Sequence, residues 1–187
     1  MIRFSIIAAC VFLLSGPSSN GGLILNATGI AGTGSTTWTF GGNSTATGSG
    51  TFAFDSGGAP SSSQTWDNFS SDYTIVNNTW FTTTGAATLF VGAVSRNIDS
   101  IYIDEDAGGD DIAIGVDGAT DLPFASGNLV QWAGSVIVDI DVNDLIAGSY
   151  SSTDLGGLEL QLNVSAVPEP SGFLLAGMTL CYLIWVR

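Results

Sequence analysis

From Gly22 to Val164 the chain moves in short steps between apolar residues and Ser, Thr, Asn or Gly, with no long run at helical spacing. "STTWTF" and "GTFAF" alternate polar and apolar, and the intervening "GGNSTATGSG" predicts a hairpin that joins them. "DYTIV" and "TWFTT" flank Asn77 and Asn78, residues suited to positive backbone angles, and predict a second hairpin. "AATLFVGAV" is apolar almost throughout, as a strand buried on both faces would be, although the run alone also fits a helix. "SIYID", "DIAIGV", "SVIVDIDV" and "LELQLNV" follow at turn-marked intervals. About ten strands in one domain predict an all-β fold, an antiparallel β-sandwich or jelly roll. Only "VNDLIAGS" invites a helical turn.

Register can be read further in "SVIVDIDV". Val136, Val138, Ile140 and Val142 fall on one face, and Ile137, Asp139 and Asp141 on the other. Asp139 and Asp141 would then lie about 7 Å apart, which suits either a shared cation or plain solvation, with Asp144 close by in the following turn.

The two ends break the alternation. "MIRFSIIAACVFLLSGPSSNGG" has one basic residue, an apolar run from Phe4 to Leu14, then small and turn-forming residues. That is the layout of a secretory signal peptide over residues 1–20, with cleavage between 15 and 22, and the apolar run is too short to span a bilayer. Residues 166–187 form a second separate segment, in which 171–186 carries no charge and Arg187 follows it. As a helix that stretch rises about 24 Å, a marginal membrane span with its arginine on the cytoplasmic side. Pro168 and Pro170 prevent the preceding strand from running on into it.

"VPEPSGFLLAGMTLCYLIWVR" resembles the PEP-CTERM sorting tail found in exopolysaccharide-producing bacteria: Pro168, Glu169 and Pro170 match the signature triplet, Phe173 to Val186 the apolar helix and Arg187 the basic end. The family's basic end is usually a small cluster, and here it is one arginine. The resemblance implies a membrane protease of the exosortase type as partner, a transient membrane helix, cleavage near the triplet, and delivery to the cell surface or the extracellular matrix. It implies an address and leaves the activity of residues 21–165 open.

Charge narrows that activity. The chain has 17 acids, three bases, no histidine and a net charge of -14. Sixteen of the acids fall between residues 21 and 165, where Arg96 is the one base. A nucleic-acid or anionic-lipid partner needs a basic patch, and none is available. Acidity of this degree suits solubility, divalent cations, or a polyanionic matrix cross-linked through them. Cys10 and Cys181 lie in the two end segments, so the domain between them has no cysteine and no histidine. Ser-His-Asp and Cys-His nucleophile systems and His/Cys zinc sites are therefore excluded, leaving a glycosidase built on two carboxylates as the enzymatic alternative.

The densest chemistry is "DEDAGGDD", where five acids crowd around a Gly-Gly pair. The stretch reads either as a solvated acidic loop or as a weak calcium site on Asp104, Asp106, Asp110 and Asp111, since calcium takes six to eight oxygens in flexible geometry. Trp38, Trp66, Trp80 and Trp132 read chiefly as core residues; Trp66, in the most loop-like setting, is the candidate glycan contact. Asn-x-Ser/Thr triplets at Asn26, Asn43, Asn68, Asn77 and Asn163 are expected by chance in so Asn-, Ser- and Thr-rich a chain. The expectation is an exported surface or matrix protein with a structural or adhesive role; the alternative is a calcium- or carbohydrate-binding module of an exopolysaccharide matrix.

Overall fold

A computed structural model describes residues 21–54, 79–106 and 109–167, with side chains throughout except at 104–106 and 109–111. The signal peptide, the sorting tail with its apolar helix, and the "DYTIV" half of the second hairpin lie outside the described residues. Ten strands form: β1 (Leu23–Gly29), β2 (Thr36–Thr45), β3 (Gly50–Phe54), β4 (Thr79–Val91), β5 (Val94–Asp106), β6 (Gly109–Val116), β7 (Leu122–Phe124), β8 (Leu129–Val138), β9 (Gly148–Ser152) and β10 (Leu160–Ala166). The helical turn expected in "VNDLIAGS" is a 3-10 turn at Val142–Asp144. Among the described residues no helix is long and apolar enough to cross a membrane.

The all-β expectation holds. The antiparallel sandwich or jelly roll gives way to a single mixed sheet, curled on itself, in the order β7-β3-β6-β5-β4-β8-β2-β1-β10-β9. β1 pairs with β10 in parallel, and so does β3 with β6; the other pairs are antiparallel. The β1–β10 register sets Leu23 beside Leu160, Leu25 beside Leu162 and Ala27 beside Val164. All six side chains are buried, so the two strands bury their apolar sets in phase.

Bulges bend the sheet. Between Thr82 and Thr88, β4 takes six steps while β5 takes three from Ser100 to Asn97; β4 meanwhile stays paired with β8 from Thr83 to Val91. β5 carries a second irregularity at Asp99, between Ile98 and Ser100. Extra residues in one strand increase its local twist and re-aim it. Two wings result, β9-β10-β1-β2-β8-β4 and β5-β6-β3-β7, and one apolar cluster draws side chains from both.

Two expectations about connections are overturned. β2 and β3 do not form a hairpin, since β2 lies between β1 and β8 whereas β3 lies between β6 and β7. Gly41 and Gly42, which resemble a turn in the sequence, are strand residues opposite Ile24 and Leu23. Gly42 has φ 99°, and a Cβ there would strike the carbonyl oxygen of Gly22, so glycine marks a close approach of two strands. "AATLFVGAV" is likewise no strand buried on both faces: Ala87, Leu89 and Val91 are buried while Ala86 and Phe90 are exposed, and Gly92 turns the chain into β5.

The β2–β8 pairing is interrupted at the same glycines, between Phe40 opposite Gly134 and Asn43 opposite Gln131. Trp132 closes the gap. Its indole N–H donates to the carbonyl oxygens of Gly41 at 3.0 Å and Ile24 at 3.1 Å, and its ring meets Phe40 edge-on at 5.2 Å. Trp38 is equally buried, but its indole N–H has no hydrogen-bond partner among the described residues. Both support the expectation of core tryptophans, and Trp80 is half-buried against Tyr102.

This contrast predicts that Trp132→Phe lowers unfolding free energy more than Trp38→Phe, by about 1–3 kcal/mol, because only the former strips hydrogen bonds from carbonyls. Urea titration of the two variants measures the difference. Gly134→Ala is expected to destabilise by more than about 1 kcal/mol, since φ is 114° and the added Cβ would lie 2.7 Å from the Ala87 Cα.

Candidate functional site

"DEDAGGDD" spans the end of β5 and the start of β6. The backbone register sets Asp104 opposite Asp111, Glu105 opposite Asp110 and Asp106 opposite Gly109. Asp104 and Asp111 are therefore brought together, whereas Asp110 is paired with Glu105, one residue out of phase with the other three candidates. Trp66, Pro168, Glu169, Pro170 and Arg187 lie outside the described residues.

The second cluster, "DIDVND", behaves differently from a cation site. β8 ends at Val138, although burial keeps the expected alternation, with Val136, Val138, Ile140 and Val142 all buried. Asp141 caps the 3-10 turn by accepting from the backbone N–H of Asn143 at 2.9 Å, and it reaches across to accept from the N–H of Gly34 at 2.8 Å. The backbone N–H groups of Asn143, Gly34 and Gly32 hold its carboxyl below the ordinary aspartate range. Among the described residues no group of three metal-ligating side chains comes together. Other acids serve in the same way. Asp117 accepts from the backbone and side-chain nitrogens of Asn97 at 2.9 and 2.7 Å, and Asp121 from the backbone of Phe54 at 3.1 Å.

An open cleft of about 380 Å³ lies where β9 and β10 meet the residues before β1, between Gly22, Ser151, Ser152, Thr153, Glu159 and Gln161. Hydrolysis of a glycosidic bond by carboxylates needs two of them, one on each side of the bond. Glu159 is the one acid lining this cleft.

The larger feature is the outer face of the six-strand wing. No residue of β9, β10, β1, β2, β8 or β4 is charged, while the chain as a whole carries -14. One row crosses five strands in register: Ser149 opposite Asn163, Asn163 beside Asn26, Asn26 opposite Thr39 and Thr39 opposite Ser135. Hydrogen bonds join its members in two groups. Ser149 donates to Asn163 at 2.7 Å, the Asn163 amide donates to Asn26 at 2.9 Å, and the hydroxyls of Thr39 and Ser135 lie 3.4 Å apart. Gln161, one row over, also donates to Asn163 at 3.0 Å. A second row runs Ser165, Thr28, Thr37, Ile137 and Thr84. Thr37, Thr39, Ser135 and Thr84 are exposed, and Ile137 is 47% exposed.

Sequence reasoning missed this face. Its signal was present as Ser, Thr and Asn at alternate positions of strands free of charge, but the order of the strands, which alone makes rows of them, is set by distant pairings. Asn26 and Asn163, noted only as triplet acceptors, are partners in a hydrogen bond across a parallel pair.

The turn role of Asp141 gives a pH signature. A carboxyl with its folded pKa lowered from 3.8 stabilises the fold above that value, and the contribution is lost as pH falls through the lower folded value. Asp141→Ala is therefore expected to lower the melting temperature at pH 7, with the gap to the parent protein narrowing below pH 3.8, as thermal scans across pH would show.

Comparison of the chain with protein-family models, with curated proteins and with solved structures finds no match, so a functional reading rests on these surfaces and on the sequence.

Proposed function

We propose that the chain is an exported protein of the cell surface or extracellular matrix, sorted through the PEP-CTERM-like tail at Pro168, Glu169 and Pro170, with a structural or adhesive role. The observation that carries the role is the division of charge. The described acids outside β5 and β6 lie between strands, several as acceptors of backbone N–H groups, while a six-strand face is left neutral, open at Thr37, Thr39, Ser135 and Ile137, and dense in hydroxyls and amides. An enzyme would need converging reactive groups, and the cleft beside Glu159 supplies one carboxylate. Neither feature concerns the address, which rests on the signal peptide at 1–20 and the tail at 166–187.

Mass spectrometry of the protein from fractionated host cells tests the address. The expected mature form begins between residues 15 and 22, ends near Pro168–Pro170 and is found outside the inner membrane; a chain with its tail intact in the cytoplasm refutes the proposal.

A second reading, calcium binding at the β5–β6 end, is favoured by the register that sets Asp104 opposite Asp111. Like charges opposite one another destabilise a strand pair, and a bound cation relieves them. Millimolar calcium is then expected to raise the melting temperature by a few degrees, an effect lost in Asp104→Asn/Asp111→Asn. An unmoved transition together with no heat on calorimetric titration would dismiss it.

A further inference from the structure

We infer that the outer face of the wing β9-β10-β1-β2-β8-β4 is a binding surface for an uncharged, hydroxyl-rich polysaccharide laid across the strands. The inference rests on the adhesive reading above and names the surface and the ligand class. Three observations carry it.

The first is that neutrality here is not forced by the sheet. The backbone register of β5 and β6 sets Asp104 opposite Asp111 and Glu105 opposite Asp110, so acidic residues do occur at paired strand positions of this protein. The six-strand wing has none, and Asp139, Asp154 and Glu159 lie in the connections just outside β8, β9 and β10. A face cleared of charge on a chain of -14 matches a partner without charge. A polyanion would be repelled by the whole molecule.

The second is exposure. In the other wing both faces of the β5–β6 pair are covered: Ile101 and Ile103 are buried, and so are Ser100 and Tyr102 on the alternate positions. In the six-strand wing the alternate positions Thr37, Thr39, Ser135 and Ile137 are open.

The third is chemistry. Hydroxyls and amides both donate and accept, as sugar hydroxyls do, and here a strand spacing of about 4.8 Å repeats them over roughly 19 Å in each five-strand row. The bonds from Ser149 and Gln161 to Asn163, and from Asn163 to Asn26, fix these amides before any ligand arrives, so little side-chain entropy is lost on binding. Exposed Ile137 and the threonine methyls offer contact to the C–H faces of sugar rings. A second copy of the chain is the weaker occupant. Interfaces between copies have apolar centres, this face is mostly Ser, Thr and Asn, and two chains of -14 repel.

Affinity electrophoresis of the protein isolated from its host tests the inference, using native gels that contain hydroxyethyl cellulose, galactomannan or dextran, with alginate as the polyanionic probe. The expected result is retardation by at least one neutral polymer, none by alginate, and no change with a chelator. Thr39→Lys and Ser135→Lys, both on the face, are expected to weaken retardation about tenfold or more. Asn143→Lys, the same charge change in an exposed turn, is expected to leave it intact. Thermal unfolding confirms that each variant is folded; should Thr39→Lys fail to fold, Ser135→Lys carries the comparison. Retardation by no neutral polymer overturns the inference, as does equal retardation of the folded face variants. A dimer in sedimentation that Thr39→Lys dissociates assigns the face to a second copy and overturns it too. Matrix prepared from the host separates the two levels: retention there that is insensitive to the face variants sinks the inference and spares the adhesive reading, whereas no retention of the parent protein sinks the adhesive reading itself.

Discussion

The parallel pairing of β1 with β10 is the constraint on which the larger wing depends. Leu23 to Gly29 has β2 on one side and Leu160 to Ala166 on the other, and β9 is attached to the sheet through β10 alone. Strands so distant in sequence meet only after a large loop is closed, so this sheet belongs to the slow-folding class of non-local topologies. Once formed, the pair unites Leu23, Leu25 and Ala27 with Leu160, Leu162 and Val164 in one buried patch, each large aliphatic side chain contributing about 1.5–3 kcal/mol. The same register fixes the opposite face. Asn26 can bond Asn163 only because the strands run parallel and in phase.

With one base between residues 21 and 165, the domain cannot build the cross-strand ion pairs that commonly make a sheet's outer face soluble. Solubility and cross-strand contact are supplied separately. Outside β5 and β6, which carry acids of their own, the described carboxylates lie between strands, where Asp117, Asp121 and Asp141 accept backbone N–H groups that would otherwise be left to water. Neutral hydroxyls and amides take the strands of the larger wing, where Ser149, Asn163 and Asn26 bond one another. A carboxylate held by backbone donors is a firm loop fastening and is also less available to a cation, so "DIDVND" makes a cap, a role that a spacing suited to a shared cation or to solvation alike did not announce.

How much of this was legible follows from the range of the forces. Alternation is local, so the buried set Val136, Val138, Ile140 and Val142 could be read directly, and so could the core burial of Trp38 and Trp132. The extent and pairing of β2 could not. Gly41 and Gly42 look like a turn, and only the approach of Gly22, together with the indole of Trp132 reaching from β8, explains why they continue a strand. The curl was hidden for the same reason, since the bulge in β4 exists only relative to β5. The neutral face needed both kinds of information, local alternation for its residues and distant pairing for its rows.

The tail and the sheet meet at a covalent boundary. Val167 donates its N–H to Gly29 at 2.7 Å, continuing the β1–β10 association by one residue. Pro168, next in the chain, has no N–H to donate to a neighbouring strand. Leu160, Leu162 and Val164 are buried and paired before Pro168 is reached, so the apolar patch they share with β1 is complete within the described residues.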